Sequence, residues 1–180
     1  MPCLYGITGA NCHGLSSTLT RRPPISLTAR DLMDDCFQTL RPEMSIAEAV
    51  RIFQRAGRVA AQKVFGLMVT DASRALVGML SIYDIFLQLR PKHIPVGGEM
   101  EDLEVSSLLE AACRRAQAVL VGDIMTTEVI TISPETHMLL IIDIMIKKHV
   151  RRLPVLEGGK ILGIVYISRV FDHLMKRLGG

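Results

Sequence analysis

Residues 31–50, DLMDDCFQTLRPEMSIAEAV, come back in altered form as DIMTTEVITISPETHMLLII at residues 123–142. Asp31, Met33, Thr39, Pro42 and Glu43 fall on Asp123, Met125, Thr131, Pro134 and Glu135, and Leu32 and Leu40 fall on Ile124 and Ile132. Further along, VGMLSIYDIF (77–86) matches LGIVYISRVF (162–171), with Gly78 on Gly163 and Phe86 on Phe171. The register is 92 in the first stretch and 85 in the second, so the first copy is longer by seven residues, most simply around 58–65 and 71–75. Internal repetition of this kind governs the fold, because one supersecondary unit must then be built twice.

Each copy has the same coarse plan. A short helix ends at DLM or DIM, and an extended segment follows, CFQTL (36–40) or VITI (129–132). After Pro-Glu comes a helix, SIAEAVRIFQRAG in the first copy and ETHMLLIIDIMIKKH in the second. Two short strands come next, GLMVT and ALVGMLS in one copy, RLPVLE and KILGIVY in the other, with glycines and charged residues marking tight connections. A last helix closes each copy, near 82–89 and 168–178. Between the copies, a Pro-Gly-rich loop leads into EVSSLLEAACRRAQAVL (104–120), whose apolar residues recur at helical spacing; this helix is expected to pack on the outside. The domain plan is thus an irregular tail (1–28), a first repeat (29–90), a connector (91–120) and a second repeat (121–180).

Composition narrows the function. Hydrophobic residues make up 49% of the 180 and aromatics only 4%, so the core is aliphatic, with ten methionines filling gaps. A net charge of +3 is too weak and dispersed to argue for nucleic acid. The longest apolar stretch, MLLIIDIMI (138–146), is interrupted by Asp143 and too short to span a bilayer. No basic region followed by an apolar run opens the chain, and a cytoplasmic location is the expectation. Cysteines 3, 12, 36 and 113 form no CxxC pair, and His13, His93, His137, His149 and His173 fall in no metal-ligand spacing. No glycine-rich phosphate loop follows a convincing strand. Neither a metal centre nor an enzyme is expected.

The pattern D-[LI]-M, then T-[LI]-x-P, then VRRLPVLEGGKILGIV resembles the CBS domain, and two in tandem resemble a CBS pair, or Bateman module, over residues 29–180. The resemblance implies an α/β (α+β) fold: two repeats, each a small mixed sheet with flanking helices, packed about a pseudo-twofold axis with clefts between them.

Ser81 and Asp84 lie in the segment that matches the family's G-h-h-[ST]-x-x-[DN]. Their spacing alone is that of a capping box. The resemblance adds a second reading, in which Asp84 holds ribose hydroxyls and Ser81 a phosphate oxygen at a helix N-terminus. It further implies that the other copy completes the cleft, with backbone groups of Val129 and Ile130 on adenine and Arg151 and Arg152 on phosphate. The alternative for the two arginines is a solvated basic patch with Lys147, Lys148 and His149, at the C-terminus of a helix. The equivalent cleft carries Tyr166 and Arg169 in place of Ser81 and Asp84, and a guanidinium cannot accept hydrogen bonds from a diol. One working site and one dead site are therefore expected.

The resemblance implies a regulatory module that senses AMP, ADP or ATP, with S-adenosylmethionine less favoured, and that signals through a homodimer to an effector protein of unknown identity. The alternative is a ligand-free dimerisation or interaction scaffold. The nearly all-round apolar helix at 138–146 points to burial on more than one side, and so to dimerisation.

Overall fold

The computed structural model describes residues 27–59, 64–90 and 102–178; the tail up to residue 26, residues 60–63 and 179–180, and the connector loop 91–101 lie outside the described residues. In chain order the elements are α1 (Ala29–Leu32), β1 (Thr39–Leu40), α2 (Ile46–Val59), β2 (Gly66–Thr70), β3 (Leu76–Ser81), α3 (Ile82–Leu89), α4 (Asp102–Gln117), α5 (Val121–Ile124), α6 (Met138–Lys147), β4 (Arg152–Glu157), β5 (Lys160–Tyr166) and α7 (Ile167–Leu178). They divide into two compact units. One comprises Thr39–Ser73 and Val77–Val129, the other Ile130–Gly180 with Arg74–Leu76 and the segment ending at Gln38.

The first unit is built on a sheet of order β1-β2-β3, with β1 and β2 parallel. The central strand β2 is buried at all five positions, as a short apolar run with neighbours on both edges requires. Helix α2 starts from a capping box. Glu48 accepts hydrogen bonds from both the backbone N–H and the hydroxyl of Ser45, each at 2.8 Å. Its Ile46, Ala49, Phe53 and Ala56 form the buried stripe that meets Leu40, Leu67, Val69 and Leu80 in the core. Helix α4 packs on α2 and α3. Its close approach is made by small residues, Ala112 and Ala116, while Leu108 and Leu109 of the expected stripe stay about half exposed.

In the second unit β4 and β5 form an antiparallel hairpin. Its turn is Gly158-Gly159, with φ of +56° and +78°, a left-handed pair that glycine adopts without steric cost. Ile132 makes a single parallel bridge to Val155, where β1 and β2 make two. Leu153, Val155 and Val165 of the hairpin pack with Ile141 and Met145 of α6, Val170 of α7, and Ala29 and Leu32 of α1.

That last pair exposes a feature the repeat pattern does not display. The compact units and the sequence repeats are not the same sets of residues. The leading segment of the first copy pairs at both ends with the body of the second, through antiparallel bridges Thr28–His137 and Asp34–Ile164. Its counterpart does the converse, through Leu120–Ser45 and Thr126–Met79. The repeated glycine has its reason here. A Cβ on Gly163 would lie 2.6 Å from the Asp34 carbonyl oxygen, and one on Gly78 would lie 2.6 Å from the Met125 sulfur.

Candidate functional site

Ser81 ends β3 and is the N-cap of α3. The carboxylate oxygen Oδ2 of Asp84 accepts from the Ser81 hydroxyl at 2.6 Å and from its backbone N–H at 2.7 Å. In return the Asp84 N–H donates to Ser81 Oγ at 3.3 Å. The capping reading is therefore realised, and it is common grammar in this chain, since Thr28–Asp31 and Ser45–Glu48 are built the same way. What separates Asp84 from those boxes is burial, since Asp31 and Glu48 are exposed and Asp84 is half-buried. As in the other two boxes, both bonds it accepts fall on one oxygen, so Oδ1 takes none from the described residues, and no ion pair with Asp84 is found among them. The carboxylate is half-buried beside a hydroxyl at a helix N-terminus, with acceptor capacity to spare.

The matching positions in the second unit are arranged differently. Tyr166 ends β5 opposite Arg152 of β4, and Arg169 lies in the first turn of α7. The Arg169 guanidinium donates to Asp34 Oδ1 at 2.6 Å. Asp34 is held there by two backbone bonds, its N–H to the Ile164 carbonyl at 2.9 Å and the Ile164 N–H to its own carbonyl at 3.0 Å. The Asp34 hydrogen bond raises the pKa of Arg169. Burial pushes the Tyr166 phenol up, the Asp34 charge adds to that, and Arg152 opposes it. Sequence reasoning singled out Tyr166 and Arg169 but missed Asp34. The available signal was its alignment with Thr126, an acid in one copy and a neutral hydroxyl in the other.

The raised phenol has a consequence for stability. A group whose folded pKa lies above its unfolded one contributes fully below the unfolded value and loses that contribution as pH rises through the folded one. Stability should therefore fall above the ordinary tyrosine value of 10.0. Tyr166→Phe should flatten that decline, measured as the wild-type-minus-variant difference in urea midpoint at pH 8 and pH 11; an unchanged difference would remove this account.

The remaining sequence candidates divide between the units. Val129 belongs to the first, half-buried, its N–H bonded to the Thr127 carbonyl at 3.0 Å. Ile130, Arg151 and Arg152 belong to the second. Ile130 packs against that unit's core. Arg151 is exposed, with no ion pair among the described residues, whereas Arg152 is half-buried. Lys147 pairs with Asp143 at 2.9 Å, as a solvated helix face would. Among the described residues no group of His, Cys, Asp or Glu could hold a metal ion, and no helix is long and apolar enough to cross a membrane.

The model of the CBS domain matches residues 29–90 and again 121–176. The chain belongs to the CBS domain family. Its two repeats resemble a CBS domain-containing protein of Arabidopsis thaliana, CBSCBSPB3, with 23% identity over 139 residues, 77% of this chain and 21% of that one. The chain thus spans about a quarter or less of the length of the curated relatives it matches. Among solved structures, the CBS-pair protein CBSX2 from Arabidopsis thaliana matches with a TM-score of 0.66 at 24% identity, over 86% of this chain and 99% of that one. A structure of CBSX2 in complex with AMP matches with a TM-score of 0.59 at 24% identity, over 83% and 97%. These likenesses establish the CBS-pair fold: small mixed sheets with flanking helices, in two repeats.

Proposed function

We propose that this CBS pair is a regulatory module that binds an adenosine nucleotide, AMP, ADP or ATP, and acts through a homodimer on an effector protein. The observation that carries the reading is the Asp84 carboxylate. It is oriented by Ser81 at the N-terminus of α3, half-buried, with one oxygen left over and no cation paired with it among the described residues. Such a group suits a ribose diol, which needs an acceptor, and the adjacent hydroxyl and helix N-terminus suit a phosphate. The backbone of Val129 and Ile130 is assigned to the adenine. Arg151, exposed and uncommitted, and Arg152 are assigned to phosphate. The AMP complex of CBSX2 lends support by analogy of fold.

The dimer is supported by the outer faces of α6 and α7. Leu139, Leu140 and Ile146 on one helix and Ile167, Phe171, Met175 and Leu178 on the other are between 47% and 79% exposed. So much apolar surface on two neighbouring helices is the mark of an interaction face. It also favours the second reading, a ligand-free scaffold in which only this face works.

A thermal-shift series with AMP, ATP and S-adenosylmethionine, run beside sedimentation at micromolar concentration, separates the two. Nucleotide at a hundred times its dissociation constant should add about 2.7 kcal/mol to stability, with AMP or ATP acting more strongly than S-adenosylmethionine. The protein should sediment at twice its 19.9 kDa chain mass. A dimer whose melting no ligand moves leaves the scaffold; a clean monomer removes the dimer.

A further inference from the structure

We propose that Asp34, together with Tyr166 and Arg169, determines which copy of the repeat is open to a nucleotide: in the second unit the chain's own leading segment supplies the acid that pairs with the cation standing at the ribose position. The proposal rests on the nucleotide-binding reading above and deepens it by adding Asp34.

The internal repeat supplies the comparison. Asp34, Tyr166 and Arg169 occupy the positions that Thr126, Ser81 and Asp84 occupy in the first unit. The leading segments are seated alike, Asp34 bridged to Ile164 and Thr126 bridged to Met79. The backbone frame is thus the same, and the three side chains differ. In the first unit an acid on the closing helix has a neutral hydroxyl residue at the matching position of the leading segment. In the second unit the acid is on the leading segment, and a cation on the closing helix grips it at 2.6 Å.

Arg169 alone does not explain a closed position. Its side chain is about half exposed and could swing away, whereas the Asp34 side chain is only 19% exposed. Two backbone bonds to Ile164 seat the Asp34 backbone against β5, so an acid is carried at this position even when Arg169 is not paired with it. An acid installed at position 169 would meet a like charge there. Undoing the substitution at Arg169 is therefore insufficient; Asp34 has to change as well.

Two measurements test this. Without nucleotide, hydrogen exchange should show Asp34→Thr and Arg169→Ala each speeding the Asp34 and Ile164 amides several-fold, with the double variant no faster than either single. Independent, multiplying effects would overturn the pairing. With AMP, calorimetry should give one nucleotide per chain for wild type and for Tyr166→Ser/Arg169→Asp, and two for Asp34→Thr/Tyr166→Ser/Arg169→Asp. Two nucleotides on the variant that keeps Asp34 would overturn its role, as would a folded triple variant that binds only one. If wild type binds none while the exchange rates remain coupled, the nucleotide reading fails and the pairing stands. If the triple variant does not fold, Asp34→Thr/Arg169→Asp, which keeps Tyr166, replaces it: a second nucleotide supports the role of Asp34 and one nucleotide overturns it.

Discussion

Replacing Asp84 by alanine is expected to weaken AMP binding roughly ten- to a hundredfold, because hydrogen bonds to a charged group contribute about 1.5–3 kcal/mol and each 1.4 kcal/mol is about tenfold in affinity. The same change removes half of a capping box. That costs the free protein about 1 kcal/mol, since the Ser81 N–H and hydroxyl lose a shared acceptor. The two effects are separable. Asp84→Asn keeps an acceptor for the Ser81 N–H and so preserves most of the cap, but it surrenders the charge. Its melting temperature without ligand should stay near wild type while its AMP affinity drops. Arg169→Ala should leave that affinity where it was. If calorimetry finds both Asp84 variants binding AMP as tightly as wild type, the residue is a helix cap and nothing more.

Gly163→Ala should be among the most destabilising single methyl additions in the chain. The new Cβ would lie 2.6 Å from the Asp34 carbonyl oxygen, and a backbone atom cannot step aside as a side chain can. Relief requires the leading segment to lift from β5. Overpacking of this kind costs about 1–3 kcal/mol. Lifting also loosens the Asp34–Ile164 backbone pair, at about 0.5–1.5 kcal/mol per hydrogen bond. A total of about 3 kcal/mol corresponds to a drop of some 6–12 °C in melting temperature for a chain of this size. Gly78→Ala is the internal control. Its tightest contact is the Met125 sulfur at 2.6 Å, which can rotate away, although the Thr126 carbonyl at 3.0 Å limits the relief. The Gly163 variant should therefore melt well below the Gly78 variant. Equal melting would mean that the leading segment is not seated on the glycine.

Local elements were legible because local chemistry makes them. GLMVT, RLPVLE and KILGIVY are strands at the residues expected, and the helices fall where the apolar stripes put them. Ser81 and Asp84 could be read as a box from their spacing alone. The misplacements have long-range causes. The helix expected from Glu135 begins at Met138, because the carbonyls of Pro134 and Thr136 accept the Arg30 and Ala29 N–H groups of the leading segment. The extended segment expected over 36–40 is a strand only at Thr39 and Leu40. Arg169 could be recognised as a misfit for ribose, yet its partner is 135 residues away and reaches it only through the exchanged segment. No periodicity encodes such a meeting. It follows from tertiary pairing, and the repeat alignment is its one trace in the sequence.

That exchange ties the two copies together in manufacture. Each copy makes the lacing that fastens the other, so neither is finished by its own residues. A ribosome that has produced only the first copy has produced an edge at Met79 still waiting for Thr126, and a lacing at Asp34 with nothing to fasten. Duplicating or deleting one copy would leave a loose end in search of a neighbour, a standing pressure to inherit the pair as one indivisible piece.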